Sequence, residues 1–157
     1  TCLAILSDPV KRAYSSWHMS CSFLHKLHPL GLEEPRSFAQ AVEDEMAGRT
    51  VDARHKYLLR SCYAEQVKAF QDHLRPGKLM VRSYLELKRD PAGLINAICD
   101  QLGLEGIAQD SIITKTRSNV RAYAQPLDEE LAKELYQYFA PEMERLKDVL
   151  GFEGKIM

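Results

Sequence analysis

Ser7, Asp8, Lys11, Arg12 and Ser15 stand close together near the start of the chain. Hydroxyls, ammonium and guanidinium groups all bind phosphate, and a charge-assisted bond is roughly twice as strong as a neutral one. Ser15 falls about two helical turns beyond Ser7, with Lys11 and Arg12 between them. A set of this kind suits a phosphorylated ligand.

Two elements must position that set. Leu3 to Leu6 is an apolar run too short for a helix and followed by turn formers, which predicts a buried strand. Ser7-Asp8-Pro9 ends the strand and opens a helix. Asp8 is a good N-cap, and Pro9 fits the first helical position, where a missing N–H costs nothing. The helix is expected from Pro9 to about Leu24, with Val10, Ala13, Tyr14, Trp17, Cys21 and Leu24 on one apolar face. A strand that turns sharply into a helix leaves backbone N–H groups and a positive dipole end at the strand's C-terminal edge, where α/β proteins bind phosphates.

Asp8-Pro9, two further residues, then Arg12-Ala13-Tyr14-Ser15 resembles the 3′-phosphate-binding segment of sulfotransferases that use 3′-phosphoadenosine 5′-phosphosulfate (PAPS), and in particular the bacterial and Golgi, heparan-sulfotransferase-like type. Ser7 stands where that family usually carries Arg. Further blocks follow in family order. Leu59 to Val67 resembles an Arg-Gly-x-Tyr-Ala-x-Gln-Leu segment that packs near the nucleotide, although core packing is the plainer reading of Tyr63. Lys78 to Leu104 resembles a strand, Tyr-Glu-x-Leu, Asp-Pro and Leu-Gly-Leu block, with Leu85 where Glu is common. Arg121 and Tyr123 match a Lys-Gly-Arg-x-Tyr loop that closes over the nucleotide, with Asn119 and Val120 in place of Lys and Gly. Ala140 to Gly151 resembles the family's C-terminal helix.

The resemblance implies that Ser7, Arg12, Ser15 and Arg121 bind the 3′-phosphate end of PAPS and that Tyr123 lies on the adenosine. Arg can hold a phosphate with two hydrogen bonds, and Tyr can stack on a base. His18, three residues beyond Ser15, is the acceptor-side candidate by resemblance. A partly packed surface histidine is its plainer reading.

The remaining elements follow from local signals. Residues 25–35 carry Pro29, Gly31 and Pro35 and read as a loop. Ser37 caps a helix over Phe38 to Ala47, with Gly48 after it. Arg49 to Arg60 reads as polar and irregular. A helical pattern runs from Ser61, with Cys62, Tyr63, Val67, Phe70 and Leu74 on one face. Leu79 to Tyr84 is a second buried strand, parallel to the first because helices separate the two. Asp90-Pro91 repeats the cap logic and opens a helix to Leu102. Residues 112–126 form the most basic loop. Two helices, Leu127 to Phe139 and Pro141 to Leu150, complete the chain.

The 157 residues suit one domain, and a net charge of −1 excludes bulk electrostatic attraction to nucleic acid or an anionic membrane. No apolar run is long enough to span a bilayer. The four cysteines show no metal-ligand spacing, and they read as free thiols of a reducing compartment. That leans toward the cytoplasm and leaves a Golgi lumen open. No metal cofactor is expected. The family's Lys-bearing 5′-phosphosulfate loop would lie upstream of Thr1.

The expectation is therefore an α/β chain: a three-layer sulfotransferase and P-loop-like fold, its parallel sheet flanked by helices, with residues 1–157 a single, partial domain lacking the N-terminal part. It would transfer a sulfuryl group from PAPS to a hydroxyl or amine of a carbohydrate or small molecule, with an upstream segment or partner chain completing the site. The alternative is a catalytically degenerate sulfotransferase-like domain serving as a structural or interaction subunit. A P-loop kinase is a weaker third reading.

Overall fold

The computed structural model describes residues 1–27, 34–109, 111 and 126–151; the side chains of residues 22–27 are outside the description. Strand β1 (Cys2–Leu6) leads into helix α1 (Pro9–Leu27). Helix α2 (Phe38–Met46) follows, then two 3-10 turns (Ala53–His55 and Leu59–Ser61) and α3 (Ala64–His73). Strand β2 (Leu79–Ser83), a short α4 (Tyr84–Arg89), α5 (Pro91–Leu102) and the long α6 (Glu129–Leu150) complete the described elements.

β1 and β2 pair in parallel, with Cys2 opposite Leu79 and Leu6 opposite Ser83, so both strands end at the same edge. The parallel pairing follows from α1, α2 and α3 lying between the two strands in the chain. One sheet face, carrying Ala4, Leu6, Leu79 and Val81, packs on Tyr63, Ala64 and Val67 and on Leu146 of α6. A second core joins Val10, Ala13 and Tyr14 of α1 to Phe38, Ala41 and Val42 of α2, to Tyr57 and Leu58, and to Leu135 and Phe139 of α6. The two halves of α6 thus belong to different cores.

Local chemistry explains the element boundaries. Ser37 and Gln40 form a reciprocal capping box at the start of α2. Ser83 and Glu86 do the same for α4. α5 stops at Gly103, whose φ of 68° is left-handed and natural only to glycine.

Several expectations are corrected. The apolar run at Leu3–Leu6 is a strand, but only alternate residues are covered: Leu3 and Ile5 remain about two-fifths exposed. The pleat sends them to the face away from α3 and α6. α1 continues to Leu27, into the stretch expected to be loop; residues 28–33 lie outside the description. The segment Arg49 to Arg60 is irregular, yet Tyr57 and Leu58 are fully buried. α3 begins at Ala64 rather than Ser61, and Phe70 is exposed. Tyr84 opens a helix instead of ending β2.

The two expected terminal helices are one. Pro141 sits inside α6, where proline removes a backbone donor. Gln137, whose carbonyl loses that donor, and Pro141 are both exposed, so water can serve the carbonyl. Leu135 and Phe139 before the proline and Leu146 after it anchor the helix in its two cores.

Candidate functional site

The turn at the C-terminal edge of β1 is built as its residue types dictate. One Asp8 oxygen, Oδ1, accepts the Lys11 amide at 2.9 Å and so caps α1. The Asp8 carbonyl accepts the Arg12 amide at 2.9 Å. Its other carboxylate oxygen, Oδ2, accepts the Tyr136 hydroxyl at 2.8 Å, a bond from α6 across 128 positions of sequence. Tyr136 is pushed up to about 12, first by burial and then by its bond to the Asp8 carboxylate, so it remains a donor through the physiological range.

A second tyrosine lies beside Ser7: Tyr63, buried in the core beneath the sheet, has its phenol influenced by the neighbouring Ser7. Burial raises the Tyr63 phenol, while Ser7 and the nearby Arg12 charge pull it back. The start of α3, immediately after Tyr63, is anchored to α6. The buried Glu142 carboxylate of α6 accepts the Ala64 amide at 2.8 Å, satisfying an N-terminal donor of α3, and also accepts Arg145 at 2.5 Å.

Arg12 is half-buried between α1 and the turn at residues 57–61. Its Nη1 donates to Ser61 Oγ at 3.2 Å and to the Tyr57 carbonyl at 3.5 Å. Burial lowers its pKa, and the positive charge of Arg60 adds to that, whereas Tyr63 and Glu45 oppose it. The site therefore carries two interacting guanidinium groups, one packed and one exposed. Glu45 sets the exposed one: its carboxylate accepts the Leu58 amide at 2.9 Å and the Leu59 amide at 2.7 Å, fixing the turn that presents Arg60.

Ser15 is exposed on α1, two turns beyond the cap. His18 is half-buried against rings of its own helix, edge-on to Tyr14 at 4.6 Å and to Trp17 at 4.6 Å. Burial lowers its pKa, which favours the neutral imidazole. Arg121 and Tyr123 lie outside the described residues.

The structure thus brings Ser7, Asp8 and Arg12 into one constellation with Tyr63, Arg60 and Tyr136. Arg60 is not singled out as a site residue by the sequence, and the burial of Tyr63 supports its plainer reading as core packing. The signal for both was present in the Leu59–Val67 block. Tyr136 carried no signal, because it lies beside Leu135 on a helix whose apolar stripe points elsewhere. Among the described residues no group of His, Cys, Asp and Glu is placed to hold a metal ion, the cysteines are free, and no helix is long and apolar enough to cross a membrane.

Comparison with known proteins places this geometry in context. The family model described as "Sulfotransferase domain" matches residues 2–143. A solved structure of a sulfotransferase from Alicyclobacillus acidocaldarius superposes with a TM-score of 0.69 at 24% sequence identity. The match covers 97% of this chain and 55% of that one, so this chain spans about half of that protein's length. The likeness shows a shared α/β fold. No curated protein matches the chain.

Proposed function

The chain belongs to the sulfotransferase domain family, and we propose that it forms the nucleotide-gripping part of a PAPS-dependent enzyme of the bacterial and Golgi, heparan-sulfotransferase-like type. The supporting observation is the turn from β1 into α1. There Asp8-Pro9 and Arg12-Ala13-Tyr14-Ser15 fall at the strand edge within the family match, with Arg12 and Arg60 close by.

The donor set fits a phosphorylated nucleotide. Arg12 is held through its Nη1, Ser15 and Arg60 are exposed, and α1 opens toward the same edge. In this reading Ser7, Arg12, Ser15 and Arg121 bind the 3′-phosphate end, and Tyr123 stacks on the adenosine. When bound, PAPS supplies the sulfuryl group, which an acceptor oxygen or nitrogen takes by in-line attack as the bond to the 5′-phosphate breaks and adenosine 3′,5′-bisphosphate leaves. The residues of this chain contribute positioning: they fix the nucleotide's remote end so that the reacting groups align. His18, neutral and packed on rings, is the acceptor-side candidate. The acceptor is a carbohydrate or small molecule bearing a hydroxyl or amine.

Titration calorimetry with adenosine 3′,5′-bisphosphate tests the reading. Binding is expected, and Arg121→Ala is expected to weaken it by at least tenfold, the loss of a charge-assisted pair of hydrogen bonds, about 1.5–3 kcal/mol. Absence of binding by the unmodified protein would overturn the proposal in favour of an interaction subunit built on the same fold. Unchanged affinity in the variant would remove Arg121 from the site.

A further inference from the structure

The Asp8 carboxylate poses a problem for any anion at this turn. One oxygen must face the Lys11 amide to cap α1. The other would otherwise stand as a bare negative charge at the edge where a phosphate approaches. The structure shows where that second oxygen goes: it accepts the hydroxyl of Tyr136. We propose that Tyr136 is a positioning residue of the nucleotide site, a latch from α6 that holds the Asp8 carboxylate in its capping orientation and draws its second oxygen away from the bound phosphate. The inference rests on the nucleotide reading above.

Three features support it. Tyr136 follows Leu135, which is fully buried between α6 and α1, so the helix carrying the latch is fixed against the helix being capped. Tyr136 itself is nearly half exposed, so its ring is not a core element, and its hydroxyl meets Asp8 rather than a buried partner. Finally, the buried Tyr63, the residue that precedes α3, lies beside Ser7, so adjacent residues of one turn face tyrosines from different parts of the chain.

Tyr136→Phe removes a single hydroxyl from a half-exposed ring and should leave the fold intact. The variant and Asp8→Asn, alone and combined, are titrated with adenosine 3′,5′-bisphosphate, and amide hydrogen exchange is followed at Lys11 and Arg12 in the absence of nucleotide. Expected are affinity about threefold to tenfold weaker in Tyr136→Phe, the scale of one hydrogen bond, a double variant no weaker than Asp8→Asn alone, and faster exchange confined to the first turn of α1. If the unmodified protein binds and Tyr136→Phe binds equally, or if the two substitutions add, the latch is overturned while the nucleotide reading stands. If the unmodified protein does not bind, the nucleotide reading fails, and Tyr136 falls with it as a residue of that site. Exchange at Lys11 then reports whether the bond to Asp8 orders the turn at all.

Discussion

Two Asp-Pro pairs in this chain open helices by the same local rule and serve different ends. At α1, Asp8 Oδ1 accepts the Lys11 amide at 2.9 Å; at α5, Asp90 Oδ1 accepts the Gly93 amide at 2.9 Å. Proline is the first helical residue in both. The surroundings differ. Asp8 follows a strand, so its turn lies at the sheet edge, and its second oxygen is taken by a tyrosine from a distant helix. Asp90 follows the short helix α4, and its further partner is Gln109 at 3.4 Å, from the segment just beyond α5. The third helical position differs too: Lys11 in α1 but Gly93 in α5, where an added Cβ would lie 2.1 Å from Asp90 Oδ2. The same cap is a local helix start in one place and part of a candidate site in the other, because Asp8 is met by a tyrosine 128 positions away and Asp90 by a side chain just beyond its own helix.

The comparison can be broken most directly by removing each carboxylate. Asp8→Ala loses a cap and a long-range bond and should cost about 2 kcal/mol in urea unfolding. It should also weaken adenosine 3′,5′-bisphosphate binding by more than tenfold. Asp90→Ala should cost about 1 kcal/mol, a cap plus a long, exposed bond from Gln109, and leave nucleotide affinity unchanged. Equal losses in both variants would erase the distinction.

A smaller effect separates the third helical positions. In Gly93→Ala the new methyl must displace the Asp90 carboxylate, whose free end can swing away at the cost of its capping bond. A loss of about 1 kcal/mol is expected in the same unfolding measurement. The corresponding Lys11→Ala change should stay within about 0.5 kcal/mol, since that side chain is exposed.

The smallest effect is read by ultraviolet titration of the tyrosines. Tyr136, raised to about 12, should ionise late, and Asp8→Asn should bring it part of the way back toward 10, because the share due to burial remains. Asp90→Asn should move no tyrosine. The linkage has a definite sign. A phenol whose folded pKa lies above its unfolded one contributes stability that is fully present below about pH 10 and is lost as pH rises toward 12. The pH dependence of unfolding should therefore flatten slightly over that window in Tyr136→Phe.

The sequence by itself determined what depends on neighbours along the chain. The strand at Leu3–Leu6, the Asp8, Ser37 and Asp90 caps, the glycine stops after α5 and α6 and the parallel order of the strands all follow from short-range stereochemistry and periodicity. The motif around Ser7 to Ser15 was legible for the same reason, since one strand and one helix suffice to place it.

Only the tertiary structure decided the rest. Tyr57 and Leu58 lie in a polar stretch with no periodicity, and they are core because α1, α2 and α6 converge on them. Pro141 reads as a break, yet α6 runs through it because two separate cores hold its halves and the weakened turn faces water. Tyr136 reads as a surface residue of that helix. Its place at Asp8 depends on α6 packing across α1, a contact between residues 128 positions apart that no local pattern encodes.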